Sequence, residues 1–350
     1  MAFIVVGWTL ALQLSALAAD TRMVVDSLGQ KVVIPKEVTK VATLIPAFCQ
    51  VTEMLTRGGG RVVAYPTAGI SDYFKKVFPD LLKSNPKSYD SRSLEEVLAS
   101  GAQVLYGPTA LTLSDPERER LTAAGVAVVN VSGIASVEEL SQSFLIIGEI
   151  LGETESLRAK EFVRYYQGNV ANAARLSSAI SRDKRLRVLF LYGTGGAYRT
   201  INRHDISHHY LTAAGGINLG ADYSLNGQAL GGTIDKETIV TWDPEVIISS
   251  GPVDRAEILA DPVLAEVTAV KNKRVYPSPR GIFVWYARSA EGAMMPLWLG
   301  TKLYPELFKD VHMEEVVRDY FFNFYNYRIP KEELATVLQL ETSPAGKNLN

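Results

Sequence analysis

At 350 residues, 47% hydrophobic and 21% charged, the chain is long enough for two domains of ordinary size, each with its own core. A formal net charge of −2 leaves no basic footprint, so neither nucleic acid nor an anionic membrane is expected as a partner. The single cysteine, Cys49, excludes an intramolecular disulfide and lies too far along the chain to carry a lipid anchor at a cleavage point.

The chain opens on "MAFIVVGWTLALQLSALAAD", an apolar run closed by the small-x-small pattern Ala16-Leu17-Ala18. Residues 1–19 read as a secretory signal cleaved after Ala18 or Ala19. The usual Lys/Arg-bearing start is missing, which leaves a displaced start or an uncleaved anchor open, yet the run is short for a membrane span of about 20 apolar residues. The mature protein is therefore expected in an exported compartment. From there to residue 151 strands and helices alternate: strand "KVATLI", helix "AFCQVTEMLTRGGG", strand "RVVAYP", helix "SLEEVLASG", strand "AQVLYGP", helix "DPERERLTAAG" and strand "VAVVNVS". Each helix runs into a glycine, the residue suited to a left-handed C-cap. Within the first helix Cys49 reads as a buried structural thiol.

From Ser136 to Arg182 the periodicity is helical, with Gly152 as the dividing point and residues 152–184 as one long helix between two lobes. Alternation then resumes over 185–341 with strand "RVLFLYG", helix "HHYLTAAGG", helix "KETIVTWD", strand "PEVIISSG", helix "LADPVLAEVTAV" and strand "RVYPSP" before the closing helices; residues 342–350 form a tail. In "DYFFNFYNY" the spacing places Tyr320, Phe324 and Tyr327 on one helix face. The expected fold is α/β: two Rossmann-like lobes with mostly parallel sheets, joined by the long helix.

"VVDSLGQKVVIPKEVTKVATLIPAFCQVTEML" resembles the start of the ABC-transporter substrate-binding proteins for iron-siderophores, haem and cobalamin. "SLEEVLASGAQVLYG", "AAGGINLG", "IDKETIVTWDPEVIISSG" and "NKRVYPSP" are similar to later motifs of that family in the same order, so the resemblance spans about Val24 to Tyr327. It implies a bilobal periplasmic binder that is a monomer, does no catalysis, needs no cofactor, and delivers a metal chelate to an inner-membrane permease. It also implies one acidic docking residue on each lobe, which fall on Glu95 and Glu237, with Glu96 as a substitute for its neighbour. The alternative is that both are solvated glutamates favoured by a helix start.

Ligands of α/β proteins meet the loops at the carboxyl ends of strands. In the first lobe that rule selects Pro46, Ala47, Tyr65 and Tyr106, and in the second Tyr198, Arg199, His204, Arg280, Phe283, Trp285, Tyr286 and Arg288. Rings would cover an apolar ligand face and arginines would pair with its negative charge. Strand-end rings such as Tyr65, Tyr106 and Phe283 equally suit a core, and Arg288 could instead pair with Glu291 on its own helix. His204 and His208 stand four apart, a metal-like spacing, but Asp205 or Ser207 as an N-cap would break the helical geometry between them, and no third ligand is at hand. A small oxyanion such as molybdate or tungstate, or a transition metal ion, is the alternative cargo. Two other classes remain: a nucleotide-dependent enzyme, suggested weakly by "YGTGGAY", which lacks the full Gly-x-Gly-x-x-Gly spacing, and an interaction module built on "DYFFNFYNY".

Overall fold

A computed structural model describes residues 20–67, 70–84, 86–89, 94–193, 195–223 and 232–340. The signal segment and the tail expected at the two termini lie outside the described residues. The chain divides into two compact units: the first takes residues to Ile70, Phe78–Gly133 and Gln142–Glu161, the second takes Ser71–Val77, Ile134–Ser141 and everything from Phe162 onward.

The first unit opens with an antiparallel hairpin of β1 (Thr21–Val25) and β2 (Lys31–Pro35). Its main sheet has the order β5-β4-β3-β6-β7, with β3 (Val41–Thr43), β4 (Val62–Pro66), β5 (Lys87–Tyr89), β6 (Val104–Gly107) and β7 (Ala127–Asn130), and every pairing is parallel. A parallel sheet is covered on both faces, and accordingly every residue of β3 and β6 is buried instead of alternating. The helix Pro46–Thr56 starts with proline at its first turn, where the missing N–H costs no hydrogen bond. It ends with Arg57, not a glycine, at φ 55°, and Gly58 follows at φ 77°. Asp243 and Asn326 likewise take the left-handed cap position themselves, so the glycine rule locates these ends only approximately. Cys49 is fully buried, its Sγ 3.1 Å from Thr43 Oγ1, and burial pushes the thiol up to about 12, as suits an inert structural thiol.

Helices Val137–Leu151 and Glu153–Ser177 are separated at Gly152, as the sequence leads one to expect. A β-carbon on Gly148 would lie 2.6 Å from Ala159 Cβ and 2.9 Å from the Glu155 carbonyl, so the glycine permits the close approach of the two helices.

The second unit holds a parallel sheet of order β10-β8-β12-β13, made of β8 (Arg187–Leu191), β10 (Ile217–Asn218), β12 (Val246–Ser249) and β13 (Val275–Pro277). Beside it β9 (Tyr198–Thr200) and β11 (Gly232–Ile234) form an antiparallel pair. The core packs Leu189, Leu191, Ile247 and Val275 of the sheet against Ile239 and Ile258 of its helices. The helix Met313–Tyr325 ends one residue before Asn326, which leaves Tyr327 beyond the helix instead of on the face shared by Tyr320 and Phe324. Among the described residues no helix is long and apolar enough to cross a membrane.

One buried acid gives the first unit a pH signature. Glu53 is fully buried and accepts from the amides of Gly60 (3.0 Å) and Val62 (3.4 Å), and burial pushes its carboxyl up from 4.5 to about 7. The folded state thus holds this proton more tightly than the unfolded chain does. The stability it contributes is fully present below the unfolded value and is lost as the pH rises through the folded one, at a slope of at most about 1.4 kcal/mol per pH unit. Urea unfolding of Glu53→Gln at pH 5, 6 and 7 should show a flatter pH dependence than wild type.

Candidate functional site

The parallel register of the second sheet sets the site. Leu191 at the end of β8 stands opposite Ser249 of β12, and Ser249 stands opposite Pro277 of β13. Three loops therefore leave the sheet at one edge, and they carry Tyr192, Ser250 and the stretch Arg280–Arg288.

After β8 the chain turns back at once: Tyr192 and Arg199 exchange backbone hydrogen bonds of 3.1 and 2.7 Å. Gly193, at φ 119°, makes this possible, because a β-carbon there would lie 2.2 Å from the Ala197 carbonyl. Tyr192 and Arg199 thus close a hairpin here, not the strand-to-helix turn that a dinucleotide phosphate requires. Two of its amides are moreover engaged by acids, Gly193 N–H donating to Asp254 (3.1 Å) and Gly195 N–H to Glu257 (2.7 Å), which does not suit the weak nucleotide alternative.

The second loop is tied at both ends. Arg280 N–H donates to the Val337 carbonyl (3.0 Å), the Ser207 hydroxyl donates to the Tyr286 carbonyl, and Gly281, Ile282 and Trp285 all donate to Glu291. This fold brings the Tyr286 ring against Tyr192, with centroids 6.2 Å apart and planes 19° from parallel. Burial raises both phenols, Tyr286 to about 12, with Tyr192 as its next cause; for Tyr192 the next cause is Asp205.

Arg280 lies within electrostatic reach of Tyr286, and Arg288 within reach of Tyr192. Each arginine has a buried Nε that meets no hydrogen-bond acceptor among the described residues. Arg288 stands 3.9 Å from Asp205, beyond hydrogen-bond reach, with a quarter of its side chain exposed (25%). The pairing of Arg288 with Glu291 suggested by their spacing does not form, because Glu291 is turned into the core. Asp205 is the N-cap of the helix Ile206–Ala213, accepting from Ser207 N–H at 2.9 Å, and burial raises its carboxyl.

The other expected residues fall into two groups. Phe283 is half-buried and Arg199 is exposed. Trp285, Tyr198 and Tyr106, by contrast, are core residues, with 0%, 1% and 0% of their surface exposed. Trp285 donates from Nε1 to Glu291 (3.0 Å), Tyr198 to Asp261 (3.0 Å), and the Tyr106 hydroxyl meets Thr52. A strand-end ring with a buried acceptor in reach turns inward, since its polar tip is satisfied there. Ala47 is buried, while Pro46 and Tyr65 are half-buried in the first unit.

His204 is exposed and lies before the Asp205 cap, so it is not on a helix with His208. The His208 ring contacts His209 at 5.7 Å and 85°, its Nδ1 lies 3.4 Å from Asn218 Nδ2, and burial lowers its pKa. Among the described residues no group of three or more His, Cys, Asp or Glu is placed to hold a metal ion. Glu95 begins the helix Glu95–Ala99, is exposed and pairs with Arg120 at 2.8 Å; Glu237, also exposed, lies in the first turn of Lys236–Trp242. Tyr192 escaped the sequence reading. The strand-end rule that selects Tyr106 selects it equally, but the glycines that follow draw the eye to phosphate chemistry.

A family model described as "Periplasmic binding protein" matches residues 77–280. The chain belongs to the periplasmic binding protein family. The molybdate-binding protein MolA of Haemophilus influenzae is 24% identical over 350 residues, covering 90% of this chain and 93% of that protein. A cobalamin-binding protein of Halobacterium salinarum is 22% identical over 251 residues, covering 72% of this chain and 64% of that protein. Among solved structures, a periplasmic solute binding protein from Veillonella parvula superposes with a TM-score of 0.77 at 23% identity, covering 91% of this chain and 97% of that one.

The burial of Trp285 makes a prediction about this family member that concerns folding and not contact with cargo. Trp285→Ala should cost about 3–5 kcal/mol, the usual penalty for emptying a buried aromatic site. Denaturant unfolding would register it directly.

Proposed function

We propose that this periplasmic binding protein is the solute-binding component of an ABC importer and that its cargo is anionic, recognised through Arg280 and Arg288 with Tyr286 beside them. The observation that carries this reading is the pair of buried guanidinium Nε groups without an acceptor. A buried donor left unpaired costs about 1–3 kcal/mol, so two in one place favour a partner that brings acceptors. An oxyanion does so, and the planar fork of arginine suits it better than a lysine would.

Two cargo classes meet that description. A metal oxyanion of the molybdate or tungstate kind is favoured, because Trp285 and Tyr198 are buried, which removes two of the expected rings from covering a broad tetrapyrrole. The similarity to a protein named for molybdate binding points the same way. An anionic chelate, such as a ferric siderophore, haem or a cobalamin-like ligand, is the second reading. It is supported by the stacked Tyr192 and Tyr286 rings and by the relatives named for cobalamin. The importer reading also assigns the exposed Glu95 and Glu237 to docking on a permease, and places the mature protein in the periplasm.

Calorimetric titration with molybdate, tungstate, ferric siderophores, haem and cobalamin would test the cargo. Arg280→Ala and Arg288→Ala should each weaken the responsive ligand at least tenfold, about 1.4 kcal/mol. Wild-type affinity in both variants would remove the arginines from the site. For docking, the double variant Glu95→Ala, Glu237→Ala should bind cargo normally yet import it more slowly than either single variant. Exposed charges contribute only about 0–1 kcal/mol each, but two of them fix an orientation.

A further inference from the structure

We propose that Glu291 is a positioning residue for the anion site: its buried carboxylate shapes the Arg280–Tyr286 loop so that Arg280 and Tyr286 are presented at the sheet edge. This rests on the reading of the two arginines given above. The carboxylate has no exposed surface and receives four donors, with Gly281 N–H (3.0 Å) and Trp285 Nε1 (3.0 Å) on Oε2, and Ile282 N–H (2.9 Å) and the Tyr325 hydroxyl (2.9 Å) on Oε1. Three of the four come from the loop itself, which is therefore wrapped around one buried carboxyl group. The fourth fastens that group to the end of the helix Met313–Tyr325, where Tyr325 in turn accepts from Tyr320 (3.2 Å).

All four donors are neutral, so the group is not half of an ion pair. A buried acidic group is a poor way to gain stability, because desolvation opposes its charged form and an apolar residue of similar size packs as well. Its use is geometric. Two adjacent amides and an indole N–H can converge on one carboxylate only in a narrow set of loop conformations. Gly281 records the tightness of the wrap, since a β-carbon there would lie 2.4 Å and 2.5 Å from the two carboxylate oxygens. The residues on either side of the wrapped segment are ones the proposed site uses: Arg280 immediately before Gly281, and Tyr286, which stacks on Tyr192, immediately after Trp285.

The test compares wild type, Glu291→Gln and Tyr325→Phe in the full mature chain. Hydrogen exchange is read on the peptide covering 280–288, anion affinity with molybdate and tungstate, and global stability in urea. Glu291→Gln should speed exchange of that peptide at least tenfold and weaken the responsive anion at least tenfold, while exchange in the first unit's sheet stays as in wild type. Tyr325→Phe removes the hydroxyl that donates to Glu291 and accepts from Tyr320, without adding bulk, and should loosen the same peptide severalfold; it decides the matter if Glu291→Gln does not fold. Unchanged exchange at 280–288, exchange that rises evenly over the whole chain, or a loosened loop with undiminished affinity would each overturn the proposal. Should wild type bind neither anion, loop-specific exchange still decides what Glu291 shapes, and the failed titration counts against the anion reading alone.

Discussion

Parallel pairing of β8, β12 and β13 is the constraint on which the rest of the second unit depends. Because the strands run the same way and end in step at Leu191, Ser249 and Pro277, their following loops must emerge together at one edge. Both faces of such a sheet are occupied by helices, so this edge is where side chains can be freed from packing. Residues far apart in the chain, Tyr192 and Tyr286, meet there because of strand register and not because of any local motif.

What holds the loops is mostly carboxylate chemistry. Asp254 and Glu257 take the amides of the turn after β8, Glu291 takes those of the loop after β13, and Asp205 caps the helix whose Ser207 grips Tyr286. The amides of Gly193, Gly195, Gly281 and Ile282 are thus consumed internally. Among the side chains at this edge, Arg280 and Arg288 each keep a buried Nε without an acceptor among the described residues. On the anion reading proposed above, these acids do not repel the cargo, because they are spent on the scaffold's own amides.

Much of the fold was legible from pattern alone. Alternation of short apolar runs with helical stretches gives two parallel sheets, and the break at Gly152 is visible because a long helical period meets a residue suited to ending it. The β9–β11 pair was not legible, since its strands are three residues each and the turn before β9 imitates a phosphate loop. At the site, the Arg280–Arg288 stretch could be found from its place after a strand. Which of its rings faced outward could not: Trp285 and Tyr286 are neighbours, and the choice between them is made by Glu291, a partner whose sequence spacing suggested Arg288 instead. Rings at strand ends are ambiguous for the same reason, as Tyr106 and Tyr198 illustrate, because the inward acceptor that captures each hydroxyl lies on another element.

The 3.9 Å separation of Arg288 and Asp205 bears on unloading. A guanidinium that has lost its cargo in a partly dry setting would ordinarily hold on to it, since departure strands a charge. Here a resident carboxylate stands just out of hydrogen-bond reach, near enough to neutralise the arginine after a shift of less than an ångström. On the reading proposed, Asp205 acts as a rival for the arginine: it caps the attainable affinity and lowers the barrier to discharge, which suits a carrier that must surrender what it captures.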